Sequence, residues 1–391
     1  MPVSVFSLML VVFGLTTGEF VIAGILPDVA ADLSVSIPAA GLLVTAYAAG
    51  MIIGGPVITV LTARAARKPL IAGLIAVSVL GNLGSAAAPD HLILLLSRFV
   101  AGLVVATFFA VAIATVISTA PAGRQASSVA KVALGMNLGI ILGTPIGTFV
   151  GQHLGWRATF LAVAAFSAAA LLLVLRFVPA QPPATTGSVR GELRVLANRE
   201  LQLAIALTAV GNVGVVTVFI YITPLLTDVG GFAANVVPVL LLVYGAGAIF
   251  GNFAGGRLAD RALMPALAGL LAVLAGVLTV FWLTGGLKTP TAVLTFAVGA
   301  LAFAIIPGMQ TRVVTAAGAA PALAVAVNAS GFQLAAAFAG WLGGRIIDDG
   351  PGLRAIPLAG ALLTVAGLGI AALLLRRDRR AATAPADRVP A

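Results

Sequence analysis

The sequence predicts an all-α integral membrane protein with twelve transmembrane helices in two six-helix pseudo-repeats. Three observations carry this prediction. First, 61% of the 391 residues are hydrophobic and 9% are charged, with a mean hydropathy of +1.15, whereas soluble domains carry about 25% charged residues. Second, the apolar residues fall into twelve long runs, and a run of about 20 spans a bilayer as a helix. Third, the chain repeats itself at an offset of 197 residues: Tyr47 falls on Tyr244, Gly50 on Gly247, Gly54 on Gly251 and Arg64 on Arg261. The same offset carries Gly14 to Gly211, Pro27 to Pro224, Gly102 to Gly299, Gly143 to Gly340 and Gly147 to Gly344. Glycine matches are cheap in a chain with 45 glycines, but the Tyr, Pro and Arg matches at one offset are not.

Each run is bounded by proline, glycine or charge. Ser4–Leu26 stops at Pro27; it is too long for a signal-peptide core and has no basic leader, so it is a retained span. Gly41–Thr62 ends at a basic loop holding Arg64, Arg67 and Lys68, and Pro69–Ala88 ends at Pro89. Leu92–Thr119, Ser127–Gly151 and Ala158–Val178 complete the first six. The second six are Leu201–Leu226, Val236–Leu258, Pro265–Thr284, Pro290–Met309, Leu323–Ile347 and Ala355–Leu375. The expected organisation is therefore a half at 1–178, a central loop at 179–200, a half at 201–375 and a tail at 376–391. Within the loop, Gly191–Leu201 suits a short amphipathic surface helix, and the charged tail is expected to be mobile.

The net charge of +10 does not point to nucleic acid, because the cations sit in loops between apolar runs. With the N-terminus inside, the inner loops and tail hold 17 Lys and Arg and the outer loops hold 4, namely Arg157, Lys288, Arg345 and Arg354. That bias places both termini in the cytoplasm of a multi-pass protein of the bacterial plasma membrane. Zero cysteines exclude disulfides and thiol metal sites, and no metal or cofactor is expected.

A span interior holds no water, so an ionised group there must be paired or hydrated. Only Glu19 and Arg98 lie clearly inside spans. Glu19 is eight residues before Pro27, about 12 Å from the outer end, and Arg98 is seven residues after His91, about 10 Å from the same surface. Matched depth lets the two meet in one plane. At the repeat offset their counterparts are Val216 and Thr295, so proton chemistry belongs to the first half. Glu19 is the expected proton carrier, with Arg98 tuning it. The plainer alternative is a static ion pair locking two helices. The amides Asn82, Asn137, Asn212, Asn328 and Gln333 are expected to bond between helices. His91 and His153, at outer loop edges, are expected to be solvated.

The loop segment Gly251–Arg261, GNFAGGRLADR, resembles the cytoplasmic signature of the major facilitator superfamily. Its first-half copy is degenerate, with Ala63 where the acid is expected and Arg64, Arg67 and Lys68 retained. Gly139, Gly143, Pro145 and Gly147 resemble the glycine–proline motif of drug antiporters, and Ser97-Arg98 resembles that group's embedded arginine. The opening TTGEFVIAGILPDVAADL, the loop GWRATF and the run YITPLLTDVGGF are similar to one drug–proton antiporter branch, that of arabinose-type, sugar and chloramphenicol efflux permeases. The fourth span departs from the arabinose type, with Val104-Val105-Ala106 in place of Asn-His-Gly.

The resemblance implies a major facilitator fold working by alternating access. Gating would involve Gly251, Gly255, Asp260 and Arg261 together with the basic loop and the glycines of span five, with Asp260 as a latch. The first, fourth, seventh and tenth spans would border the cavity, bringing Phe13, Phe20, Phe108, Phe109, Asn212, Phe219, Tyr221, Phe296 and Phe303 to it. Aromatic walls with few amides favour a small amphiphilic, drug-like substrate over a sugar. The expected function is proton-coupled efflux by a monomer, with small-molecule substrate, protons and lipid as partners. A sugar or nucleoside exporter or uptake symporter of the same fold stays open as an alternative. A membrane-embedded enzyme is remote, because no span carries a metal cluster or a nucleophile–base set.

Overall fold

The computed structural model describes residues 2–62, 64–120, 124–181, 197–317 and 321–383. Each apolar run forms a helix, since only a helix satisfies its own backbone hydrogen bonds in hydrocarbon. The first span is α1 (Val3–Phe20) continued by α2 (Ile22–Asp32). Then come α3 (Ile37–Leu61), α4 (Arg67–Ala87), α5 (His91–Leu103) with α6 (Val105–Thr119), α7 (Gln125–Leu138) with α8 (Thr144–Leu154), and α9 (Trp156–Phe177). The second half holds α10 (Arg199–Ile220), α11 (Val237–Arg261), α12 (Leu263–Thr284), α13 (Lys288–Ala317), α14 (Pro321–Asp348) and α15 (Ile356–Thr383). Among the described residues eleven segments are long and apolar enough to cross a membrane. The 28-residue α14 supplies a twelfth helix of spanning length.

Local chemistry sets the starts and breaks. Ser36 caps α3 by accepting from the Ala39 N–H (3.2 Å), Asp90 caps α5 through Ile93 (2.9 Å) and Asn198 caps α10 through Glu200 (2.9 Å). Between α7 and α8 the backbone widens over Gly139–Gly143, just before Pro145. Proline has no N–H for the carbonyl four residues back, so the ladder loosens there.

The repeat has a physical meaning in the packing. A Cβ on Gly50, Gly54 or Gly102 would strike the main chain of Phe99, Leu103 or Tyr47, so α3 and α5 touch backbone to backbone. In the second half, Gly247, Gly251 and Gly299 meet Phe296, Ala300 and Tyr244, the positions 197 residues on, and join α11 to α13. Gly255 adds a further contact with Ala304. Small residues at these points admit the close approach on which helix association in lipid depends. The span-five glycines press on the first span: Gly139 on Thr16, Gly143 on Thr17 and Gly147 on Val21.

Two expectations change. The charged tail is helical through Thr383. Arg312 explains this: it binds Asp378 through both terminal nitrogens (3.0 and 3.2 Å) and Glu200 at 2.9 Å, while Arg377 binds Glu200 at 3.0 Å. His91 is half-buried, its Nε2 2.9 Å from the Ala39 carbonyl, whereas His153 is exposed as expected, its Nδ1 2.9 Å from the Phe149 carbonyl of its own helix. The proposed surface helix over 191–201 lies largely outside the described residues, as does Ala63.

On the face opposite the termini, Asp32 of α2 accepts from Trp156 Nε1 (3.0 Å) and pairs with Arg157, which also donates to the Ala88 carbonyl (3.1 Å). These donors hold the Asp32 carboxyl below its usual range, Arg157 most of all and Trp156 next. The GWRATF segment thus staples three helix ends together.

The glycine contacts generate a graded prediction. Gly54→Ala or Gly251→Ala drives a methyl into backbone and should cost about 1–3 kcal/mol. Gly256→Ala, whose added methyl meets nothing within 4 Å, should be neutral or slightly stabilising. Thermal unfolding in detergent reads the difference, and equal melting temperatures for the three variants would refute the packing account.

Candidate functional site

The two halves of the chain meet along a seam. Four hydrogen-bonded points cross it among the described residues. Thr45 on α3 donates to the Ala337 carbonyl of α14 (2.9 Å), and Gln152 at the end of α8 donates to the Ala234 carbonyl (2.7 Å). Thr223 donates to the Ala23 carbonyl on α2 (2.7 Å). Gln333 on α14 donates through Nε2 to Glu19 Oε1 (3.0 Å). The third bond follows from sequence: Pro27 has no N–H for the carbonyl four residues earlier, so Ala23 keeps a free acceptor, which Thr223 fills. Tyr221 works beside it, its hydroxyl donating to the Gly340 carbonyl (2.7 Å) while the ring edge packs at Gly41 and Gly343.

All four points lie from mid-span toward the face opposite the termini. Nearer the termini no hydrogen bond joins the halves among the described residues, and both α3 (Val57, Val60, Leu61) and α11 (Phe250, Phe253, Leu258) expose apolar side chains. This conformation is closed toward the far face and open toward the face that carries the termini.

At the closed end of the opening lies a small cavity. Glu19 and Phe20 line it from α1, Val44, Tyr47 and Ala48 from α3, Val216 and Phe219 from α10, and Phe332, Gln333 and Ala336 from α14. It offers about 20 Å³ to a water centre, room for water and not for an organic ligand. Phe20 and Phe219 meet edge to face at 5.9 Å, and Phe219 also packs on Tyr244 at 4.9 Å.

Arg98 sits one layer behind. Its side chain is fully buried, with Nη2 donating to the Gly18 carbonyl at 2.7 Å. The guanidinium lies 4.4 Å from the Tyr47 ring centroid and 5.3 Å from that of Phe160, a cation–π setting that offsets part of the cost of burial. Nε and Nη1 have no partner. Glu19 and Arg98 thus share a neighbourhood through Gly18 and Tyr47 without forming an ion pair; the carboxylate faces Gln333 instead.

Of the residues expected at a cavity, Phe20 and Phe219 line this one. The structure places the others elsewhere. Phe13 packs on Phe166 of α9 (5.1 Å), and Phe108 and Phe109 belong to the core of the first half. Asn212 is buried against Thr208 and Met309, Phe303 is in the second-half core, and Phe296 stacks on Phe250 at the surface. Tyr221 is a closing contact. Among the loop residues, Arg67 binds the Ala114 carbonyl, Ser118 and Gln181 (3.1, 2.8 and 2.9 Å), whereas Arg64, Asp260 and Arg261 are exposed. Sequence reasoning missed Tyr47, Val44, Ala48 and Phe332 as lining residues. Tyr47 alone carried a signal, since it is one of three tyrosines in the chain and repeats at Tyr244.

Two helical halves around a mid-membrane cavity, sealed at one face and open at the other, define a multi-pass membrane transporter rather than an enzyme. The chain belongs to the Major Facilitator Superfamily, which it matches over residues 8–322. It is 34% identical over 358 residues to the inner membrane transport protein YdhP of Escherichia coli (strain K12), covering 92% of each chain. It is 33% identical over 345 residues to a chloramphenicol resistance protein of Streptomyces lividans, covering 86% of this chain and 87% of that one. Among solved structures it superposes on a bacterial homolog of the human lysosomal transporter Spinster in an inward-facing, unoccupied conformation. That match has a TM-score of 0.76 and 17% identity, over 95% of this chain and 96% of that one. A D-xylose–proton symporter matches with a TM-score of 0.72 at 16% identity and the same coverage.

The seam yields a direct test. Thr223→Val keeps the shape but orphans the Ala23 carbonyl, at a cost of about 1–3 kcal/mol to the closed arrangement. Spin labels at Leu154 and Lys288, both exposed on the far face, should then report an added long-distance population, which Thr223→Ser should restore to the wild-type pattern. Identical distributions for Val and wild type would make the contact incidental.

Proposed function

We infer that the chain exports a small amphiphilic compound in exchange for protons, acting as a single chain by alternating access between its halves. The observation that carries this reading is the placement of Glu19, an acid near mid-membrane on the seam where the halves meet. A carboxyl there can be reached from each side in turn as the seam opens and closes, which is the requirement for a proton carrier coupled to alternating access. Arg98 behind it supplies the positive charge that favours the ionised form. The cavity is too small for an organic ligand while the seam is closed, but its aromatic and aliphatic walls would present an apolar surface once the halves part. Similarity to a chloramphenicol resistance protein supports export of drug-like compounds.

With both termini in the cytoplasm, as the 17-to-4 distribution of Lys and Arg supports, the open side faces the cytoplasm. Substrate enters from there, Glu19 loses its proton to the cytoplasm, and the loaded carrier turns outward. A proton from outside then returns the empty carrier. The halves at 1–178 and 201–375 move around the cavity. Asp260, Arg261 and Arg64 are exposed in this state, as latch groups would be while the cytoplasmic side is open, and Arg67 anchors the matching loop through the Ala114 carbonyl, Ser118 and Gln181. The glycines and Pro145 of span five give the seam its close sliding surface.

Glu19→Gln cannot ionise, so it should abolish efflux driven by an imposed pH gradient in proteoliposomes while substrate exchange at equilibrium persists. Full gradient-driven transport in that variant would refute the assignment. Orientation is checked separately, since the chain has no cysteine to interfere. A cysteine at Lys288 should react with an impermeant maleimide in intact cells, and one at Arg376 only after lysis; labelling of Arg376→Cys from outside would invert the scheme.

A further inference from the structure

Among the described residues Gln333 is the one polar side chain that the second half sends to Glu19, and its own bonding is incomplete. It is 7% exposed; its Nε2 donates to Glu19, and its Oε1 is buried without a partner. Arg98, on the other side of Glu19, is also incomplete, with Nε and Nη1 buried and unpartnered. The two differ in kind. A guanidinium has donors only, so it suits an ionised carboxylate. A primary amide offers one donor face and one acceptor, so it suits a neutral carboxylic acid, which has a carbonyl to accept and an O–H to give.

We propose that Glu19 moves between two stations according to its protonation, with Gln333 as the positioning residue that turns proton uptake into closure of the outer seam. Protonated, Glu19 pairs reciprocally with Gln333: Nε2–H donates to the acid carbonyl and the acid O–H donates to Oε1. That second bond fills the acceptor left empty beside the first and ties α1 to α14 at the base of the outer closure. Ionised, Glu19 gives up the O–H that Oε1 needs and turns toward the free donors of Arg98, which already holds the carbonyl of the adjacent Gly18. The tie between the halves is then released without leaving the charge unpaired. The only bond chemistry is proton transfer between outside water and a Glu19 carboxylate oxygen.

The titratable groups facing Glu19 are Arg98 from α5 and Tyr47 from α3. The cavity faces of α10 and α14 present Val216, Phe219, Phe332, Gln333 and Ala336, with no charge among them. The second-half tyrosines are engaged elsewhere, Tyr221 on the Gly340 carbonyl and Tyr244 on Phe219. This inference rests on Glu19 being the proton carrier and adds the group that reads its state.

The experiment measures spin-label distances between Leu154→Cys and Lys288→Cys across pH in lipid nanodiscs. The wild-type background should close outside at low pH and open as pH rises, the closed-to-open ratio falling about tenfold for the hydrogen bond lost. Glu19→Gln, whose amide can pair reciprocally with Gln333 at every pH, should hold the low-pH closed-to-open ratio throughout, its minor open population sufficing for substrate exchange. Gln333→Met, similar in size and unable to make the pair, should lose the pH dependence. Gln333→Asn, which keeps donor and acceptor on a shorter arm, should retain part of it and serves as the readout should the Met variant fail to fold. A wild-type pH response in Gln333→Met overturns the role of Gln333 and leaves Glu19 as carrier. A wild-type response in Glu19→Gln overturns the carrier itself. Outside opening at low pH in the wild type overturns the pairing of the neutral acid with the amide.

Discussion

In hydrocarbon a polar group that finds no protein partner stays unsatisfied, at a cost of several kcal/mol. That constraint organises the seam. Pro27 strips the Ala23 carbonyl of its helical donor, and the resulting acceptor becomes a docking point for Thr223 from the other half. Thr45 spends its hydroxyl on the Ala337 carbonyl for the same reason. Between surfaces that are otherwise apolar, such bonds decide register, because apolar packing alone tolerates sliding. Each of them joins one half to the other.

Rigidity comes from a different device. Backbone contact through Gly50, Gly54 and Gly102, repeated at Gly247, Gly251 and Gly299, leaves no side chain between helices to repack. Each pair of helices therefore behaves as one body, and displacement is concentrated where side chains, not main chains, meet. The repeat keeps this scaffold in both halves while the interior charges are carried in one: Glu19 and Arg98 correspond to Val216 and Thr295. The second half answers the charges with an amide, Gln333, at a position unrelated to either by the offset.

The twelve spans, the internal repeat and the two interior charges were legible in the sequence because each depends on composition along the chain. The lining of the cavity was not. A helix apolar on every face carries no moment to show which way it turns, so Phe13, Phe108, Phe109, Phe296 and Phe303 were indistinguishable in sequence from Phe20 and Phe219. Gln333 was expected to bond between helices, but its partner is 314 residues away, and nothing local encodes that. The tail was misjudged for a related reason. Its arginines suggested solvation, whereas Asp378 and Arg377 complete a network whose centre, Arg312, lies in another span.

That network bears on how the polypeptide tolerates handling. Arg312 is 12% exposed and divides its nitrogens between Glu200, at the start of α10, and Asp378, past Leu375, the last leucine of α15. The point where the central connection enters the second half and the point where the chain leaves the membrane are thus clasped by one side chain. Trimming the carboxyl end back to Leu375, where hydropathy alone would place the boundary, removes one of its two carboxylates and leaves the seventh and tenth spans bridged through Glu200 alone. A fusion partner appended beyond Thr383 leaves the clasp whole.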